Sequence, residues 1–301
     1  MRRLHTALGL AEPEPQDRLQ AADERMLLEI LELIEINRDQ DLVLRAIQIF
    51  GASARRTSEA AMSVYSEAVE LATDDIAGIP PDAVYAEFLR PWARIARLAP
   101  RMSGWLLARH LSTEIDSWSV AETERLLAES GYVPARHVGD PAVAFVDLAG
   151  FTRLTEVQGD RAAAQIAGQL ADLAGGIADA RRGRLVKQLG DGVLLRFASA
   201  RDAVDATLEV LAELDRSDLP SGHAGVESGP LIVRDGDVFG ATVNRAARIA
   251  DVAEAGQLLA TADLAQTLPA HMVSSIPVGP ARLQGIADEV HLVQLIRPAR
   301  P

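Results

Sequence analysis

Apolar residues in the first part of the chain recur every three or four positions, which is the spacing of one face of an α-helix. The pattern holds over residues 26–34, 42–50, 60–71 and 102–115. No stretch of this region shows the strict alternation that is typical of a half-buried strand. The pattern therefore predicts an all-α N-terminal domain over residues 1–131.

Local signals predict where some of these helices begin and end. Two prolines at 80–81 mark a break, after which Asp82 is expected to open another helix, and Pro91 is expected to interrupt or kink the next run. Ser119 and Glu122 form an S-x-x-E capping box. This box predicts the start of a further helix that ends near Gly131.

The pattern changes after a junction at 132–141, where Gly and Pro residues interrupt the periodicity. The second domain, 142–301, is predicted to contain strands and helices in turn: a strand at 142–147, a helix at 154–180, a hairpin within 183–197, a helix at 200–214, strands within 223–236, a helix at 243–252, a strand at 257–261, and two strands around Leu283 and Leu292. The order strand, helix, hairpin, helix, strand predicts an α+β ferredoxin-like (split βαβ) domain.

Composition narrows the function. A chain of 301 residues is long enough for two domains, and its net charge of -13 disfavours a nonspecific electrostatic grip on nucleic acid or on anionic membranes. The absence of cysteine excludes disulfides, thiolate catalysis and zinc sites with cysteine ligands. The N-terminus is a poor signal peptide, and no apolar run approaches the ~18 residues that a membrane span requires. We therefore expect a cytoplasmic protein without membrane insertion.

Two carboxylates are candidates for metal chemistry. Asp147 ends the first predicted strand in FVDLAGFT, where it either caps the following helix or binds a metal. Asp191 precedes Gly192 in the hairpin, where it either forms an Asp-Gly type I′ turn or binds a metal. In a split βαβ sheet the first strand lies beside this hairpin. Both carboxylates can then meet at one edge, with backbone N–H groups of 150–152 facing an anion.

Three motifs, FVDLAGFT, KQLGDG and GDVFGATVNRAAR, resemble in order and spacing the catalytic signature of the class III nucleotidyl cyclases. The resemblance covers about residues 138–297. It implies a ferredoxin-like catalytic domain that works as a head-to-tail homodimer, with ATP at the interface and two Mg²⁺ or Mn²⁺ ions per site. It also implies the site residues: Asp147, Leu148 and Asp191 for the metals; Gly150, Phe151, Thr152, Lys187 and Asp237 for the substrate; Asn244 and Arg248 for catalysis.

The residue types suit that chemistry. Arg248 supplies a permanent cation for charge that develops on the α-phosphoryl oxygens, and Asn244, four residues earlier on one helix face, is placed to hold the ribose. Lys187 can only donate and ionised Asp237 can only accept hydrogen bonds, which complements adenine and opposes guanine. Guanylyl cyclases resemble one another in having Glu and Cys or a similar pair there. The sequence therefore predicts ATP as the substrate.

One position departs from the family. Where members commonly have a basic residue in an L-K-G or L-R-G triplet, this chain has Leu283-Gln284-Gly285. Gln284 adds no charge, so either the affinity for triphosphate is weaker or Arg282 substitutes for the missing cation. We expect a raised requirement for ATP or metal rather than inactivity.

The helical half more loosely resembles the regulatory domain of soluble actinobacterial cyclases, through the run LLARHLSTEIDS at 106–117. His110 and His137 could sense protons, although both are better explained as ordinary polar positions. The apolar helices that carry Trp92 and Trp105 could enclose a lipid or another small-molecule regulator, although packing in the helical core explains these side chains as well.

The sequence thus predicts an adenylate cyclase whose N-terminal domain regulates and dimerises it. Two rival functions stay open at this stage: a guanylate or relaxed-specificity cyclase, and a catalytically weak module that binds nucleotide and signals through its helical half.

Overall fold

The computed structural model describes residues 2–10, 21–73, 83, 86, 90–132 and 140–298. The chain divides into two compact units, Met1–Pro134 and Ala135–Pro301. None of the described helices combines the length and the apolar character that crossing a bilayer requires. His137, Pro80, Pro81 and Asp82, which the sequence singled out, lie outside the described residues.

The described part of the first unit is helical. Its helices are α1 (Arg2–Leu8), α2 (Ala21–Ile36), α3 (Gln40–Thr73) and α4 (Arg90–Glu129). The first three share a small core of buried side chains, which are Leu4, Ala7, Leu27 and Ile47. The prediction of an all-α N-terminal region is confirmed.

One predicted helix boundary in this unit is wrong. Ser119 and Glu122 do not start a helix, because both lie inside α4. There the Thr123 hydroxyl donates to the Ser119 carbonyl at 2.7 Å, and Glu122 pairs with Arg125 at 2.5 Å. Since residues three and four apart are also neighbours within a helix, an S-x-x-E pattern alone does not identify a cap. Pro91 is the second residue of α4, in the first turn, where a proline is tolerated. The residues just before α4 lie outside the described residues, so the expected interruption at Pro91 stays a prediction.

The second unit is a mixed sheet with helices on its faces. Its elements in chain order are β1 (Ala142–Leu148), α5 (Phe151–Gln158), α6 (Asp160–Ala180), β2 (Gly183–Leu189), β3 (Gly192–Phe197), α7 (Ala200–Arg216), β4 (Gly222–Ser228), β5 (Ile232–Arg234), β6 (Asp237–Phe239), α8 (Ala241–Ala250), β7 (Leu258–Thr261), α9 (Ala262–Gln266), β8 (Ser274–Ala281) and β9 (Val290–Ile296).

Seven of these strands form one sheet in the order β2-β3-β1-β4-β7-β9-β8, and β5 pairs with β6 in a separate hairpin. Within the sheet β4 and β7 are parallel, and the other pairs are antiparallel. The first four strands, in the order β2-β3-β1-β4 with helices between β1 and β2 and between β3 and β4, form the split βαβ arrangement. The predicted α+β ferredoxin-like fold is confirmed.

Side-chain alternation along β1 assigns the two faces of the sheet. Ala144 and Val146 belong to the main core, which includes side chains of α6 and α7. Val143 packs on the opposite face with Val243 and Ala246 of α8. Because successive strand residues point to opposite faces, Asp147 shares the face of Val143 and α8.

Three local predictions in this unit need correction. The helix expected over 154–180 is two helices, because Gly159 between them has a φ of 85° that a continuous helix does not allow. The hairpin turn is centred on Gly190 and Asp191, with Gly190 at a φ of 66°, and Gly192 already belongs to β3. The strand expected around Leu283 ends before that residue, because β8 runs from Ser274 to Ala281. Leu283 is apolar because its side chain packs in a core cluster with Ile249.

Candidate active site

Strand pairing brings Asp147 and Asp191 together at one end of the sheet. Asp147 lies opposite Gly192 in the β1–β3 ladder, and the backbone N–H of Leu148 donates to the carbonyl of Asp191 at 3.2 Å. A Cβ atom at Gly192 would lie 1.6 Å from Oδ1 of Asp147, so the carboxylate occupies the space that the missing side chain leaves. Glycine at this position is therefore what allows the two carboxylates to converge.

Asp147 does not cap the following helix. The N-cap of α5 is Gly150, in a left-handed conformation at φ 73°, and α5 has no side-chain cap hydrogen bond. The capping interpretation of Asp147 is therefore wrong. The helix begins at Phe151, shortly after β1 ends at Leu148. Phe151 packs partly against the main core, and Thr152 is exposed.

The surroundings of Asp147 disfavour its ionised form. Burial raises the pKa of Asp147 above its ordinary value, repulsion from Asp191 and Asp251 raises it further, and attraction to His223 opposes them. A bound cation would relieve both the desolvation and the repulsion.

The donor set fits a divalent cation. Carboxylate oxygens are the ligands that Mg²⁺ and Mn²⁺ prefer, and Leu148, whose buried side chain is apolar, could add only its backbone carbonyl. Within the described ranges, no three or more His, Asp or Glu side chains are grouped so that they could hold a metal ion. Water molecules and oxygen atoms of a substrate would therefore complete the coordination shell.

Lys187 and Asp237 form an ion pair on the α8 face of the sheet. Nζ of Lys187 donates to Oδ2 of Asp237 at 2.6 Å, and Oδ1 accepts from the backbone N–H of Val238 at 2.8 Å. The hydrogen bond from Lys187 lowers the pKa of Asp237 below its ordinary value. Asp237 therefore stays ionised and Lys187 stays a donor, which is the polarity that the sequence predicted for the pair.

A β-bulge determines which face of the sheet carries Lys187. The β2–β3 register pairs Leu185 with Leu195 on the main-core face, shifts by one residue, and then pairs Lys187 with Leu194 on the α8 face. Without the shift, Lys187 would share the face of Leu185, two positions away. The bulge turns Lys187 toward Asp237.

Asn244 and Arg248 lie four residues apart on α8, as predicted. Asn244 is exposed, and Nη1 of Arg248 donates to Oδ2 of Asp251 at 2.8 Å in the next turn. Among the described residues of one chain, no hydrogen bond or ion pair joins Asp147 or Asp191 to Lys187, Asp237, Asn244 or Arg248. In the described part of one chain the two sets of candidate residues therefore make no direct polar contact, although Asp251 pairs with Arg248 and also acts electrostatically on Asp147.

No family model matches the sequence. The chain is 26% identical over 310 residues to the pH-sensitive adenylate cyclase of Mycobacterium tuberculosis. The aligned region covers 99% of this chain and 75% of that relative. The chain is also 34% identical over 128 residues to an adenylate cyclase of Streptomyces coelicolor. That alignment covers 42% of this chain and 34% of that relative. Both relatives carry the name adenylate cyclase, which agrees with the resemblance of the three sequence motifs to class III nucleotidyl cyclases.

The chain spans three quarters of the mycobacterial relative and about a third of the Streptomyces relative. Among solved structures, the adenylyl cyclase CyaB from P. aeruginosa superposes with a TM-score of 0.47 at 20% identity, covering 54% of this chain and 95% of that chain.

The sequence alone does not reveal two residues that shape the candidate site. The sequence pattern indicates Gly192 only as a turn residue, and its proximity to Asp147 is visible only in the strand register. Asp251 pairs with Arg248 and acts electrostatically on Asp147. An Asp three residues after an Arg on a predicted helix was the signal that could have identified this pair.

We expect Gly192→Ala to lower kcat about 100-fold while the domain stays folded, because the added methyl group must displace the Asp147 carboxylate. Steady-state kinetics with thermal melting checks this. Gly168→Ala is the matched control, since a Cβ there meets nothing within 4 Å. Full activity of the Gly192 variant would contradict the close approach.

We expect Asp147→Asn to raise the melting temperature of the metal-free protein near about pH 7 and to do so less in acid. The sign follows from the raised pKa of Asp147: its ionised form destabilises the fold, and this penalty appears as pH rises through that pKa. Differential scanning calorimetry with and without Mg²⁺ measures it. The metal should raise the melting temperature of the unsubstituted protein but not that of the Asp147 variant.

The exposed Asp218→Asn variant serves as the control for that experiment, because it removes the same charge away from the site. Equal stabilisation of the Asp147 variant and the unsubstituted protein by Mg²⁺ would count against metal binding at Asp147.

Proposed function

We propose that this protein is an adenylate cyclase that converts ATP to 3′,5′-cyclic AMP and pyrophosphate at a site shared by two chains. The convergence of Asp147 and Asp191 beside Gly192 is the observation that carries the proposal. The adenylate cyclases of M. tuberculosis and S. coelicolor among its relatives support the same activity.

Asp147, Asp191 and the backbone carbonyl of Leu148 would hold two divalent ions, Mg²⁺ or Mn²⁺. Such ions would lower the pKa of the ribose 3′-hydroxyl and neutralise charge on the triphosphate. The exposed backbone N–H groups at the start of α5, around Gly150 to Thr152, would face phosphate oxygens. The residues of this chain thus bind and orient the triphosphate at the end of β1.

The second chain would contribute α8. Its Asn244 is placed to hold the ribose, so that the 3′-hydroxyl lies in line with the α-phosphorus. Its Arg248 would stabilise the charge that grows on the α-phosphoryl oxygens as pyrophosphate leaves. In the single chain, Asp251 holds the Arg248 guanidinium, and this contact would be exchanged for the phosphate.

Lys187 and Asp237 of the second chain would select the base. Nζ of Lys187 can donate to N1 of adenine, and the Asp237 carboxylate can accept from the N6 amino group. Guanine presents a donor at N1 and an acceptor at O6, so both contacts would be lost. The 2.6 Å ion pair between the two side chains supports their joint action.

The helical unit is proposed to dimerise and regulate the enzyme. Large apolar side chains on α4 are exposed in the single chain, with Trp105 at 62% and Trp118 at 67%. A proton is one candidate signal, given the pH-sensitive relative, and a small molecule or lipid is another. His110 is exposed on α4.

The decisive assay incubates purified full-length protein with ATP or GTP and either Mg²⁺ or Mn²⁺, and identifies the product by chromatography. We expect cyclic AMP from ATP and none above background from Asp147→Ala or Arg248→Ala alone. Mixing the two variants should restore activity, because one site of each mixed dimer has a complete set of residues. Absence of recovery despite confirmed chain exchange would overturn the shared site.

We expect Lys187→Glu combined with Asp237→Cys to lower kcat/KM for ATP at least about tenfold and to raise the ratio of GTP to ATP turnover, because the hydrogen-bond polarity toward the base is reversed. Parallel assays with both nucleotides measure this. Lys187→Arg, which keeps a donor, should retain the preference for ATP. An unchanged ratio in the double variant would contradict base selection by this pair.

A further inference from the structure

Glu227 is a buried carboxylate for which the proposed reaction gives no role. It lies on β4 with 4% of its surface exposed, and its neighbours Ala224 and Val226 point to the main core. By strand alternation Glu227 and Gly225 point to the opposite face, where α8 packs. An acidic side chain at such a position is expensive unless it is paired.

The two oxygens of Glu227 have different surroundings. Oε1 accepts from the backbone N–H of Ser228 at 2.9 Å and from Oγ1 of Thr261 at 3.3 Å. Oε2 is the buried side-chain polar atom, among those in the described residues, that has no hydrogen-bond partner. The cation beside it is Arg245, whose Nη1 lies 3.7 Å away.

Arg245 belongs to the proposed catalytic helix. It follows Asn244 directly and precedes Arg248 by three residues on α8. Arg245 also lines a cavity of about 250 Å³ together with Thr261 and residues 288–291, so its side chain has room to move away from α8 if Glu227 does not hold it.

The backbone of α8 lies directly on β4 at Gly225. A Cβ atom there would lie 2.3 Å from the nitrogen of Ala250 and 2.5 Å from the carbonyl oxygen of Ala246. This contact sets the distance between helix and strand, and the buried side chains of Val243 and Ile249 anchor the same side of the helix. The Glu227–Arg245 pair, two strand residues further along from Gly225, adds a polar attachment that also opposes rotation of α8.

We propose that Glu227 is a positioning residue that acts through Arg245: it holds α8 in the rotation that presents Asn244 and Arg248 to the nucleotide bound at the carboxylates of the other chain. The inference rests on the proposed shared site and adds to it a residue that touches neither substrate nor metal. Its effect should fall on kcat, because Arg248 acts on charge that develops in the transition state.

The first test measures Glu227→Gln, which keeps the shape of the side chain and removes its charge. We expect kcat to fall about tenfold, with KM for ATP changed less than about twofold. Arg245→Gln, from the exposed end of the pair, should give the same result if the Glu227 variant folds poorly. Glu213→Gln, which breaks the exposed pair with Arg216, is the matched control and should not change kcat.

The second test places Glu227→Gln on one chosen chain of a mixed dimer. In a dimer of Asp147→Ala and Arg248→Ala chains, the Asp147→Ala chain supplies α8 to the complete site. Glu227→Gln on that chain should lower the activity about tenfold, whereas on the Arg248→Ala chain it should leave the activity unchanged. A general loss of stability would act equally in both placements.

Equal losses in both placements, a loss only on the Arg248→Ala chain, or a raised KM with normal kcat would each overturn positioning through α8 while leaving the shared site intact. A reference mixture without any activity would instead overturn the shared site, and the positioning proposal with it. Retained activity in both placements would show that Arg245 needs no buried partner, and would also overturn the proposal.

Discussion

The pairing of β1 with β3 is the constraint on which the candidate site depends. Its register sets Asp147 opposite Gly192, and the Leu148 N–H bond to the Asp191 carbonyl closes the end of the ladder. Burial strips water from the Asp147 carboxylate and repulsion from Asp191 adds to this cost, which is why the pKa of Asp147 rises. The fold thus maintains an unfavourable charge arrangement that a cation would relieve.

The two faces of the sheet carry different parts of the domain. One face carries α6 and α7 over the main core and makes the domain stable, whereas the other carries α8, the β5–β6 hairpin and every polar candidate residue placed on a strand. Gly225 lets the α8 backbone approach β4, and the bulge before Lys187 moves that side chain onto this face. Small departures from ideal strand geometry therefore assemble the polar side of the sheet.

Much of the fold could be predicted from the sequence, because it follows from local periodicity. The all-α first region, the split βαβ order and the i, i+4 placement of Asn244 and Arg248 all depend on spacing that a single segment carries. The errors were local as well. The S-x-x-E pattern at Ser119 satisfies a helix interior as well as a helix start, and Leu283 is apolar for packing rather than for strand formation.

The sequence by itself determined which residue types were available: two aspartates after strand-like runs, a lysine and an aspartate of opposite hydrogen-bond polarity, and an asparagine and arginine on one helix. Only the tertiary structure decided that Lys187 faces Asp237, that Gly192 makes room for Asp147, and that Glu227 lies beneath Arg245. The physical reason is that strand register, a bulge and the approach of a helix to a sheet join segments far apart in the chain. Local propensity carries no information about such contacts.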